Sequence, residues 1–371
     1  MFKKYYRLII IVFSFTLSGL LVTWYSQNKF DAENFALGNA TSSHFASVKG
    51  FPIHINKLND TAVSQLKSGY VHSEKESVFL ILGNSQTHSI NQLQEGQNTY
   101  VLNLHEKDTT RYVICHSIQN ASMQYFLLSL SYISDEFNVS KVLLPVFFDD
   151  YREDGIRPLF YESIVSEMYQ VDTTLNPVVQ TINREIEGFN QTEVVTTKKS
   201  SKSTQDITEH FLDSSLAANM KTWAARPNFR GQLFANLYHL RNSAFGINAQ
   251  SVRQKIPARY QKNMDCYRAI LELCRKKQIE TLVYIPPIRN DVAIPYNVDD
   301  YNTFKDEIQS IADSTGNTRF VNLESLVPGE YWGMKASTSN SKELEYDFMH
   351  FQFKGHQLLD SALSKHLDFQ Q

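Results

Sequence analysis

Short apolar runs alternate with longer stretches of helical period along most of this chain. VFLIL at 78–82 is uninterrupted by polar residues, the pattern of a strand buried on both faces of a parallel sheet. RYVIC at 111–115 and KVLLPVFF at 141–148 repeat it, followed by a fourth run at 280–286 and RFVNL at 319–323. Helical periodicity between and after them predicts helices over about 122–133, 264–277, 300–313 and 354–366. Strand and helix in alternation predict an α/β fold, a doubly wound parallel sheet.

More than a hundred residues separate the third run from the fourth, far beyond an ordinary crossover. The interval of about 151–258 is therefore read as a large, mostly helical insert. Inside it, NQTEVVTTKKSSKSTQD at 190–206 has the composition of a mobile surface loop. Residues 26–75 are polar and mixed, the pattern of a stalk that becomes the domain edge, which leaves 76–371 as the main domain.

The N-terminus follows a different pattern. Lys3, Lys4 and Arg7 precede LIIIVFSFTLSGLLVTWY at 8–25, a run of 18 residues without charge. That is near the minimum needed to cross the hydrocarbon core as a helix. The basic flank places the N-terminus in the cytoplasm and the rest of the chain outside it. A cleaved signal peptide is the competing reading. The run is long for one, ends in Trp24-Tyr25 as an interfacial anchor does, and lacks a small-x-small site just afterwards. Residues 1–25 are thus expected to form a cytoplasmic flank and a single transmembrane anchor.

Composition narrows the function. With 36 Lys and Arg against 39 Asp and Glu, the net charge is -3, and no basic excess suggests nucleic acid. The three cysteines, Cys115, Cys266 and Cys274, form no disulfide framework. Cys266 and Cys274 fall about 12 Å apart along one predicted helix, too far to bridge. No zinc-type Cys/His spacing is present, and nothing in the sequence requires a metal or cofactor.

Two motifs carry chemistry. The run at 78–82 leads into ILGNSQTHSI at 81–90, with Gly83 at a turn and Ser85 where a helix should begin. A nucleophilic serine works well there, because its hydroxyl projects from the sheet's C-terminal edge and nearby amides can stabilise an oxyanion. Taken alone, such a serine is as readily a helix N-cap. Near the C-terminus, EYDFMHFQFKGHQLL at 345–359 places Asp347 three residues before His350, ahead of the final helix. A serine needs a base, and the base needs a carboxylate to fix its tautomer. One short turn would supply both.

Together these motifs resemble the SGNH (GDSL-like) hydrolase superfamily in type and order, across roughly 76–150 and 259–371. The resemblance implies a flavodoxin-like sheet with Ser85 as nucleophile, His350 as general base and acid, and Asp347 orienting His350. In that superfamily the oxyanion hole adds a glycine amide after the second strand and an asparagine after the third. Here HSIQNASMQ at 116–124 offers Asn120 and Ala121, while PVFFDDYRED at 145–154 offers Asp149 and Asp150. An ionised aspartate would repel an oxyanion, so neither can replace the asparagine unless protonated. Arg289 and Asp291, in YIPPIRNDVAIPY at 284–296, and Arg152 should share the same sheet edge. There Arg289 is a candidate substrate-binding residue, although loop salt bridges would look the same. His88, one turn beyond Ser85, is read as helix surface, and His356 as a reserve base.

A single N-terminal span carrying an SGNH-like domain is similar to proteins that act beside a membrane-bound O-acyltransferase. Those proteins help D-alanylate teichoic acids or acetylate alginate and other exopolysaccharides. The resemblance implies O-acyl transfer, with acetyl as the group, through an acyl-Ser85 intermediate to a polysaccharide or cell-wall polymer. Two alternatives stand beside it: an esterase that removes acyl groups from a surface glycan, and an inactive scaffold of a polysaccharide assembly complex.

Overall fold

The computed structural model describes residues 2–25, 40–197, 211, 214–339 and 343–369. They divide into two compact units.

The larger unit comprises Ala40–Thr192, Ala249–Ala336 and Leu344–Gln371. Its centre is a six-stranded sheet of β1 (His54–Ile55), β2 (Ser77–Gly83), β3 (Arg111–Ser117), β4 (Val139–Pro145), β5 (Glu280–Ile285) and β6 (Thr318–Asn322). The order is β6-β5-β4-β2-β3-β1, and every pair is parallel. Apart from the two-residue edge strand β1, this is the order of a flavodoxin-like doubly wound sheet. Val78 to Leu82 are wholly buried, as expected of a strand covered on both faces. The chain reverses its winding direction between β2 and β4, and the C-terminal ends of those strands carry Asn84-Ser85 and Asp149-Asp150.

Helices of this unit pack on the sheet, and the helices within 1–39 and 193–248 belong to the smaller unit. We number α1 (Phe2–Tyr25), α2 (Asp60–Ser73), α3 (Ser85–His88), α4 (Tyr100–Lys107), α5 (Met123–Glu136), α6 (Val178–Thr197), α7 (Arg226–Ala244), α8 (Pro257–Lys276), α9 (Val298–Asp313) and α10 (Phe353–His366). In α5 every residue from Met123 to Ile133 is buried, because it packs against both β2 and α8. Between α9 and α10 runs an antiparallel hairpin of β7 (Trp332–Lys335) and β8 (Glu345–Phe351).

Several boundaries differ from those the pattern predicts. Of the stalk and domain edge expected over 26–75, 26–39 lie outside the described residues, and 40–75 are domain: Ile53, Leu58 and Leu66 join the core, α2 packs on β3, and β1 adds an edge strand to the sheet. Helix α8 starts at Pro257 rather than Met264, since proline is favoured in a first turn. Strand β4 stops at Pro145, and Phe148 already turns into a short 3-10 segment at Asp149–Tyr151. Of the insert, residues up to Thr192 belong to the larger unit. Helix α6 takes up 190–197 of the polar tract, and 198–206 lie outside the described residues. Cys115, Cys266 and Cys274 are buried and unpaired.

The smaller unit comprises Met1–Asn39, Glu193–Asn248 and Ser337–Glu343. The anchor expected at 8–25 falls on α1. Among the described residues no helix is long and apolar enough to cross a membrane, and a number of α1 side chains lie outside that set.

Candidate active site

The turn after β2 is built around Gly83 and Asn84. A Cβ on Gly83 would lie 2.3 Å from Thr87 Oγ1, so glycine is what lets α3 fold back against the strand. Asn84 caps that helix, its side-chain oxygen accepting from the Gln86 amide at 3.0 Å. The Asn84 amide group donates to both oxygens of Asp150, at 3.2 and 3.3 Å. Ser85 opens the helix, half-buried between these capped neighbours.

Asp347 and His350 reach it from β8 rather than from a free turn. Trp332 pairs with Phe351 and Met334 with Tyr346, so five steps of β8 oppose two of β7. The surplus is a bulge containing Asp347 to His350, and a bulge re-aims side chains out of the ladder. Asp347 Oδ1 holds it together by accepting from the amides of Met349 and His350, both at 2.9 Å. Its other oxygen, Oδ2, accepts from His350 Nδ1 at 3.0 Å. With that nitrogen protonated, His350 Nε2 is an acceptor, and Ser85 Oγ lies 3.0 Å from it. Burial favours a neutral Asp347, but the charge and hydrogen bond of His350 and the two amides outweigh it, holding the carboxyl at about 2. The carboxylate is thus ionised where it orients the imidazole. A serine, a neutral imidazole and a buried carboxylate in this chain can perform nucleophilic attack on an ester.

One side chain joins the two halves. Gln86 Nε2 donates to Met349 O at 2.8 Å and to Pro287 O at 2.9 Å. The residue after Ser85 is therefore fastened to the residue before His350 and to the loop after β5. Sequence reasoning passed over Gln86, which stands among polar neighbours, Asn84, Ser85, Thr87 and His88, that give it no distinguishing signal.

The remaining candidates fall elsewhere. Arg289 is only 6% exposed. It pairs with Asp291 through Nε at 2.8 Å and Nη2 at 3.1 Å, donates from Nη1 to Gly333 O at 2.8 Å, and lies over the Tyr346 ring. Its fork is spent on Asp291 and on Gly333 of β7, with Tyr346 of β8 beneath it, so it ties the loop after β5 to the hairpin that carries Asp347 and His350. Asn120 is exposed with a left-handed backbone at φ 48, its carbonyl accepting from Arg157 Nη2 at 3.2 Å. Ala121 is core. Neither hydrogen-bonds Ser85 among the described contacts. Asp149 is held by Arg152, Arg253 and the Tyr296 hydroxyl, leaving Asp150 as the acid against the nucleophile turn. Burial drives the Asp150 carboxyl well above the usual range, toward the uncharged form that an oxyanion tolerates.

His54, His88, His116 and His356 are interior groups. His88 is fully buried, not surface, with Nδ1 2.7 Å from Ser117 Oγ, while His54 Nε2 lies 2.6 Å from the same oxygen. The hydroxyl has one proton, so one ring receives it and the other donates. Phe45 stacks on His88 and meets His54 edge-on. His356 points its Nε2 at Ser89 O, 3.2 Å away, and so cannot replace His350. Burial holds His88, His116 and His356 near 3. Among the described residues no His, Cys, Asp and Glu cluster could hold a metal ion.

No family model matches this chain, and no curated protein matches it. Among solved structures, an acetylxylan esterase from Geobacillus stearothermophilus overlaps 80% of this chain and 96% of its own at 9% identity and a TM-score of 0.37. A GDSL-like lipase from Parabacteroides merdae overlaps 80% and 97% at 12% identity and 0.38. An acylhydrolase from Bacteroides fragilis overlaps 84% and 98% at 11% identity and 0.31. Overlap at this level leaves the chemistry to the chain's own residues.

Proposed function

We propose that this chain is a membrane-anchored serine acyltransferase of SGNH (GDSL-like) type. It takes an acetyl group from a membrane-bound O-acyltransferase and passes it to hydroxyls of a cell-surface polysaccharide. The observation that carries the reading is the continuous Ser85–His350–Asp347 hydrogen-bond chain. As Ser85 Oγ attacks the acyl carbonyl, its proton moves to His350 Nε2, and Asp347 stabilises the imidazolium. His350 then returns the proton to the leaving group, and acyl-Ser85 remains. An acceptor hydroxyl, deprotonated by His350, attacks the acyl carbon and releases the serine. Transfer prevails over hydrolysis where the acceptor is held at the acyl carbon and water is not.

Membrane anchoring and outward topology belong to the same proposal, supported by the basic flank and apolar run of residues 3–25. A reporter fused after Gln371 should work only outside the cytoplasm. The enzymatic part is tested with full-length protein and an activated acetyl ester, following intact mass with and without a glycan acceptor. An acetylated protein that is discharged by the acceptor supports transfer. In cells, deleting the gene should lower polymer ester content. A higher content would make the protein an esterase, and unchanged content with Ser85→Ala would make it a scaffold.

A further inference from the structure

A helix of a water-soluble surface turns its apolar stripe inward. Helix α7 does the reverse. Ala235 and Asn242 are buried, whereas Leu233, Phe234, Leu237 and Leu240 are between 41% and 63% exposed. At 3.6 residues per turn, Leu233, Leu237 and Leu240 form one outward stripe with Phe234 beside it. Arg226, Arg230 and Arg241 are exposed on the same side, and Phe245 is exposed just beyond the helix. From 214 to 248 the chain holds Lys221 and these three arginines but no Asp or Glu. A contiguous exposed apolar face marks an interaction surface. Leucine and phenylalanine flanked by cations alone suit a lipid interface with anionic headgroups.

The neighbour of α7 points the same way. Helix α1 packs against α7 and against the short helix Lys221–Ala224 within the smaller unit. Their approach is close: a Cβ on Gly19 would lie 3.3 Å from Thr222 Cγ2. Gly19 precedes the end of α1 at Tyr25 by about 9 Å of helix at 1.5 Å per residue. That puts the short helix immediately before α7 at the depth to which interfacial helices bury their apolar faces, roughly 5–10 Å below the surface.

We propose that the outward face of α7 is a second membrane contact. Leu233, Phe234, Leu237 and Leu240 enter the acyl boundary of the leaflet in which α1 ends, and Arg226, Arg230 and Arg241 meet anionic headgroups. The depth rests on α1 spanning the bilayer, as proposed above; the chemistry of the face does not.

The test uses full-length Leu237→Cys protein labelled with bimane, the native cysteines being buried. It is reconstituted in phosphatidylcholine vesicles with or without phosphatidylglycerol and read against a shallow nitroxide lipid. A second sample carries the label at Leu17→Cys, near the middle of the apolar run of α1, and is read against a deep nitroxide lipid. The label at 237 should lose about half its emission, and more with phosphatidylglycerol present, as expected of an interfacial residue. A label at 237 that stays in water overturns the contact whatever α1 does. An unquenched label at 17 overturns the span, with 237 still deciding the contact. Equal quenching in both lipids removes the arginines from it. A disulfide dimer formed by unlabelled Leu237→Cys protein, together with an unquenched label in the labelled sample, assigns the face to a second copy and overturns the lipid contact.

Discussion

Gln86 donates to the backbone carbonyl of Met349 at 2.8 Å, tying the neighbour of Ser85 to the neighbour of His350. Gln86→Ala should leave the fold intact and let the two halves of the site drift. A displacement near 1 Å costs about 100-fold in rate. The loss should appear in the rate of acyl-enzyme formation and in kcat, with KM nearly unchanged. A loss confined to KM would remove Gln86 from the role of positioning residue.

The triad predicts a graded series. Ser85→Ala should abolish acyl-enzyme, His350→Ala should nearly do so, and Asp347→Asn should lose about 10⁴ in turnover through the wrong tautomer. His356→Ala should retain acyl-enzyme formation, because its ring faces Ser89 O. Intact-mass trapping reads all four, and full activity in Ser85→Ala would sink the assignment.

Arg289→Ala should act through stability. Removing a buried guanidinium that bridges Asp291, Gly333 and Tyr346 leaves their polar groups short of partners, at a cost of about 1–3 kcal/mol. Denaturant midpoints should fall, and transfer and small-ester hydrolysis should decline together. Selective loss of transfer would restore Arg289 as an acceptor-binding residue.

Stability should fall in mild acid. His88, His116 and His356 are held near 3 by burial, whereas an unfolded histidine titrates near 6.5. Below that value the unfolded chain binds more protons, so their contribution is complete above about pH 6.5 and declines toward pH 3. Asp347 adds a second, lower window. Its folded carboxyl sits at about 2, so the stability it contributes is present above about pH 4 and lost as the pH falls toward 2. Urea midpoints from pH 8 to pH 4 should decline throughout the first window, and His88→Gln should flatten the slope. A flat profile would show these rings exposed to water.

Local rules were enough to read much of this chain from its residues. Four buried strands and the parallel sheet follow from short apolar runs, because a strand covered on both faces has no polar side to show, while the edge strand β6 keeps Arg319 and Asn322 exposed. Gly83-Asn84-Ser85 and Asp347-x-x-His350 were legible because each motif lies within a few residues of chain. Relations across the chain were not. The bulge that aims Asp347 and His350 depends on the register of β8 against β7. The clamp of Arg289 depends on Gly333 and Tyr346 lying beside it, and the Gln86 bond on Met349, 263 positions away. A patterned sequence names which side chains are polar, but only packing decides which are buried. His88, read as helix surface, His356, read as a reserve base, and Asp150, read at the oxyanion position, are all interior groups, closed in by the sheet, α10 and the turn after β4.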